Sequence, residues 1–151
     1  MYDCLLREAA QHNIDIYEMP LHHRTKGLYA DNVIWINKNQ TTAEKTCVLA
    51  EELGHYHTTA GDILDQSVPA NRKQERRARE WAHQRLIPLE RIVEAYRNKI
   101  AEQLELAEYF GVTEQFLQEA IQRYKDKYGL FAICNGCMII FEPLIVIDPY
   151  E

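Results

Sequence analysis

LAEELGHYHT, residues 49–58, decides how the rest of the chain is read. One letter separates it from H-E-x-x-H, the helical spacing that sets two metal ligands one turn apart with a carboxylate beside them. Here the run is Glu51-Glu52-Leu53-Gly54-His55, so a glutamate stands in the first ligand position. The question is whether an acidic oxygen serves there in place of an imidazole nitrogen.

On an α-helix each residue advances about 100°, which puts positions 51 and 55 about 40° apart and one turn along. Both side chains can reach one ion, with Glu52 on the flank of the same stripe. Cys47, Val48, Leu49, Ala50 and Leu53 surround most of the cylinder with apolar groups, the pattern of a buried helix. Two carboxylates and a histidine interrupting such a helix call for a cation or a wet cleft. The plainer alternative is an exposed Glu-Glu-His stripe.

A third ligand is sought on a second helix. Glu75 lies 75 − 55 = 20 residues beyond His55, within ERRAREWAHQRLIP. Ala78, Trp81, Ala82 and Leu86 form the apolar face of that segment, and Glu75 continues their stripe. A salt bridge to Arg79 would also account for it, and Asp62 and Asp65 are alternative third ligands.

Around these two helices the pattern is α+β, mostly helical with small antiparallel β-hairpins. Residues 2–12 read as a helix, 14–19 as an extended run ended by Pro20, and 27–39 as a hairpin turning at Asp31-Asn32. Thr41 and Glu44 stand at capping-box spacing ahead of the helix that runs to about Thr58. A second helix spans roughly 70–86 before Pro88, and a third begins near Leu89. Two more helical patterns meet at Gly111-Val112-Thr113, and the tail alternates around Asn135-Gly136, a strong hairpin signal.

The 151 residues are expected to form a single domain: a core of 1–88, a helical stretch of 89–129 and a C-terminal β-hairpin of 130–151. No apolar run approaches the roughly 18–20 residues that cross a bilayer, and the N-terminus is no signal peptide, so a cytoplasmic protein is expected. Cys134 and Cys137 form one C-x-x-C, too few ligands for a structural zinc site and read as two hairpin thiols. A net charge of −6 repels phosphate backbones, and the basic run 72–79 reads as a solvated helix face.

Taken together, these motifs resemble the ImmA/IrrE family of metallopeptidases. Its active-site helix bears H-E-L-G-H after a small hairpin, and a later helix reads E-x-x-A-x-x-(aromatic)-A ending in Leu-x-Pro. This chain has Glu52-Leu53-Gly54-His55, then Glu75-x-x-Ala78-x-x-Trp81-Ala82, then Leu86-Ile87-Pro88, over roughly residues 10–125. The departure is Glu51, matching an E-E-L-G-H variant seen in phage-type members. The resemblance implies a zincin-like fold and a cytoplasmic zinc endopeptidase that cleaves the helix-turn-helix repressor of a prophage or mobile element.

In that frame Glu51, His55 and Glu75 hold one Zn2+, or another divalent metal, and Glu52 is the catalytic base. Carboxylate oxygens bind zinc at about 2.0–2.2 Å, so ligation by Glu51 is chemically sound. Two glutamates cancel the ion's charge, which predicts weaker or more conditional catalysis. The strand near Val33–Ile36 is expected to pair with substrate, and His57 and His83 are candidates for stabilising the oxyanion. The alternative function is a non-proteolytic antirepressor that works by occupancy. The segment ELAEYFGVTEQFLQEAI resembles a helix-turn-helix. Residues 105–127, however, carry five acids against three bases, a net of −2, so direct nucleic-acid binding is not expected.

Overall fold

A computed structural model describes residues 1–58 and 69–150, with the side chains of 69–71 left aside. The chain divides into two units, Met1–Arg85 and Leu86–Glu151.

In the first unit, α1 (Tyr2–Gln11) buries Leu5 and Ala9, which lie four apart on one face. It leads into β1 (Asp15–Met19), whose Glu18 accepts a hydrogen bond from the Tyr2 hydroxyl (2.8 Å) and pairs with Lys45 (3.2 Å). β2 (Gly27–Ala30) and β3 (Val33–Asn37) form the expected hairpin. Asp31 and Asn32 both take positive φ (49° and 60°), as a two-residue turn between twisted strands requires.

The sheet order is β1-β3-β2. β1 runs parallel to β3, from Asp15 opposite Val33 to Met19 opposite Asn37. The expected antiparallel hairpin is present, and β1 adds a parallel pairing beside it. The loop after β1 carries the chain past β3, so β2 pairs on the far side and β3 returns alongside β1. Asn37 fastens that loop: it is 5% exposed, and its amide Nδ2 is shared among the carbonyls of Leu21, His22 and Thr25 (3.3, 3.4 and 3.0 Å).

α2 (Thr42–Thr58) starts at the predicted capping box. The Glu44 N–H donates to Thr41 Oγ1 (3.1 Å) while Glu44 Oε1 accepts from the Thr41 N–H (3.4 Å). Val48, Leu49, Ala50 and Leu53 are buried, and the helix packs on β2 and β3, whose Ile34 and Ile36 face the core. α3 (Pro69–Leu86) buries Ala78 and Ala82.

The second unit contains α4 (Leu89–Arg97), α5 (Gln103–Phe110) and α6 (Glu114–Tyr128). α5 ends on Gly111 in the left-handed conformation, and Thr113 caps α6 by accepting from the Phe116 N–H (3.1 Å). Leu106, Ala107 and Phe110 of α5 and Phe116, Leu117 and Ala120 of α6 are buried. The Tyr124 hydroxyl donates to the Ile87 carbonyl (2.8 Å).

The C-terminal hairpin forms at Asn135-Gly136, again with two positive φ angles (50° and 78°), and gains a strand not foreseen. β4 (Phe131–Cys134), β5 (Cys137–Phe141) and β6 (Leu144–Ile147) make an antiparallel sheet in that order, because the chain turns again at Glu142-Pro143. Cys134 and Cys137 are free thiols opposite one another, with Arg97 donating to Cys137 Sγ (3.6 Å). No helix among the described residues is long and apolar enough to cross a membrane.

Candidate metal centre

The site lies where α2 meets α3 in the first unit. His55 Nε2 stands 3.4 Å from Glu75 Oε1, so an imidazole of α2 and a carboxylate of α3 are already in contact. Gly54 permits this. A Cβ at that position would sit 2.3 Å from the Ala78 carbonyl oxygen and 3.0 Å from its carbon, so only glycine lets the two helix backbones approach this closely.

β2 closes the other flank. A Cβ on Gly27 would lie 2.5 Å from Val48 Cγ1 and 3.5 Å from Glu52 Cγ, which places the edge of the sheet against the Glu52 side chain. Glu52 is half-buried, and its carboxyl is pushed up to about 8. Burial is the larger cause, and repulsion from Glu51 and Glu75 adds to it. Glu51, Glu52 and Glu75 thus share one electrostatic neighbourhood with His55.

The chemistry of this donor set fits a divalent cation. Carboxylate oxygens and a histidine nitrogen are ordinary zinc ligands. Their crowding, felt in the raised Glu52, is what a 2+ charge would relieve. Among the described residues, no three His, Cys, Asp or Glu side chains are already gathered into a metal-holding group. Of the predicted ligands, His55 and Glu75 are in contact, and Glu51 is sensed through its field at Glu52. Asp62 and Asp65, the alternative third ligands, lie outside the described residues.

The two histidines considered for the oxyanion differ in their surroundings. His57 stacks on Trp81 (centroids 4.6 Å apart, planes at 20°), meets His12 edge-on and approaches Glu8 Oε1 (3.7 Å). Burial, reinforced by His12, holds its pKa below the usual imidazole range. Arg85 completes this cluster through Glu8 (2.9 Å). His83 is buried at 2% exposure.

The strand expected to meet substrate requires correction. β3 is hydrogen-bonded to β1 on one side and β2 on the other, so Val33–Ile36 has no backbone groups left for a third partner. The sheet edges are β1 and β2, and β2 is the one beside Glu52. Sequence reasoning also passed over Gly54 and Gly27. The available signal was a glycine inside an otherwise well-formed helix and another opening a short strand, each hinting at a close approach.

A family model described as Peptidase_M78, IrrE N-terminal-like domain, matches residues 9–122. No curated protein matches the chain.

Proposed function

Because this chain belongs to the IrrE N-terminal-like family of metallopeptidases, we propose that it is a zinc-dependent endopeptidase. Its substrate in this reading is the helix-turn-helix repressor of a prophage or mobile element. The observation that carries the reading is the His55–Glu75 contact beside a half-buried Glu52 whose proton affinity is raised.

Glu51, His55 and Glu75 would hold the ion. When bound, it supplies Lewis-acid polarisation of a water molecule and of the scissile carbonyl. The chain's own part falls first to Glu52, whose carboxylate takes a proton from the attacking water and delivers it to the departing amine. A carboxyl held near 8 is a good proton donor at neutral pH. Its work as a base requires its proton affinity to fall, through water reaching the buried carboxyl and a cation offsetting Glu51 and Glu75. The edge of β2 would receive the substrate backbone as an added strand, and Gly27, by letting β2 pack closely on Val48 and Glu52, holds that edge beside the site.

The test pairs cleavage with metal content. Purified protein is incubated with zinc and the cognate repressor, and fragments are followed by mass spectrometry. Glu52→Gln should keep one equivalent of zinc and lose cleavage, whereas His55→Ala should lose both. Undiminished turnover by Glu52→Gln rules out its role as base.

A second reading is a non-proteolytic antirepressor. It draws on Glu51, which stands in the first ligand position in place of a histidine. Repressor binding that persists in protein binding no zinc, with no cleavage under any metal, would favour it.

A further inference from the structure

The β4–β5–β6 sheet has two apolar faces. On the inner face, Ala132, Ile139 and Val146 lie in one cross-strand row and are buried. The opposite face carries two more rows, Phe131–Ile140–Ile145 and Ile133–Met138–Ile147, each in register across all three strands. Phe131, Ile133, Ile145 and Ile147 are 48%, 63%, 45% and 47% exposed, and Met138 and Ile140 are partly buried between them. An antiparallel sheet covered on one side ordinarily alternates apolar-in with polar-out. Here neither row contains a polar or charged side chain.

We propose that this face is the contact between two copies of the chain, packed sheet against sheet about a two-fold axis. The proposal is independent of the peptidase reading. The six side chains expose roughly 500 Å² of apolar surface, at the upper end of what monomers carry. Two such faces together can remove at most about 1,000 Å² from water, which is the range of weak, reversible interfaces. A face with no charge offers nothing to select a charged partner, but it is complementary to itself, as a two-fold contact requires. It also keeps the chain's net charge of −6 out of the contact, so like charges are not forced together. Facing sheets of this kind interdigitate at about 10 Å, with β-branched side chains well suited to filling the layer. A contact of this size is expected to be a weak, reversible dimer.

Sedimentation equilibrium on the full chain, from low micromolar to near-millimolar concentration, tests this. The expected result is a monomer–dimer equilibrium that Ile133→Lys weakens at least tenfold. Circular dichroism and thermal unfolding check that the variant is folded. If the lysine unfolds the strand, Ile133→Thr with Ile147→Thr keeps strand propensity while removing the apolar contact and should have the same effect. A wild-type monomer throughout the range overturns the proposal, as does a dimer that these folded variants leave intact. A monomer whose sheet face instead binds a repressor-derived peptide also overturns it, by assigning the face to a different partner.

Discussion

His55 Nε2 lies 3.4 Å from Glu75 Oε1, and beside this contact Gly54 brings the α2 backbone against the carbonyl of Ala78. The His55–Glu75 pair and the close approach are parts of one helix crossing. The residue preceding the histidine sets how near the two helices come, and that distance sets whether the two side chains can meet.

Gly54→Ala should therefore damage both stability and the site. The added methyl meets backbone, which cannot rotate away, so α2 and α3 must separate. A loss of about 2 kcal/mol or more is expected in urea denaturation. Zinc affinity should fall with it, read by titration of the folded fraction. Unchanged stability would mean that the helices do not cross this closely.

Zinc should stabilise the protein through His55 and Glu75. A ligand bound only by the native state contributes about 2.7 kcal/mol at a hundred times its Kd. Thermal unfolding should shift upward on adding zinc and return on chelation. The shift should shrink greatly in Glu75→Gln. An equal shift in that variant would remove Glu75 from the ligand set.

Tyr2→Phe should make stability less dependent on acid pH. The Tyr2 hydroxyl is the main reason that the Glu18 carboxyl sits below its ordinary range, with Lys45 assisting. A carboxylate whose folded pKa is depressed stabilises the fold above its unfolded value, about 4.3, and that contribution is lost as pH falls through the folded pKa. Glu18 is largely exposed, so the contribution is discounted to about 0.5–1 kcal/mol. Urea denaturation should show the variant weaker at neutral pH and close to wild type in strong acid. A deficit that stays constant with pH would contradict this.

Asn37→Ala should loosen the loop after β1 and cost about 2–3 kcal/mol, because a buried amide serving the Leu21, His22 and Thr25 carbonyls is lost. Hydrogen exchange should speed up at Asn39, whose N–H donates to Asn37 Oδ1 (3.1 Å). Unaltered exchange there would argue that the loop is held by other contacts.

What the sequence determined by itself was local. Thr41 and Glu44 mark a helix start because their mutual bonds span three residues, and Asp31-Asn32 and Asn135-Gly136 mark turns because few residue pairs accept two positive φ angles. The motif residues Glu52, His55 and Glu75 could be singled out because helical spacing fixes which side chains share a face. Tertiary structure alone decided which strand lies at the edge. β3 reads as a good strand whether or not both its sides are paired, and the alternation of β4–β6 does not say whether the outer face is covered. Strand order, the crossing at Gly54 and the exposure of Phe131 and Ile133 depend on groups far apart along the chain. Their energies are set by which surfaces finally meet, and no short window of residues encodes that.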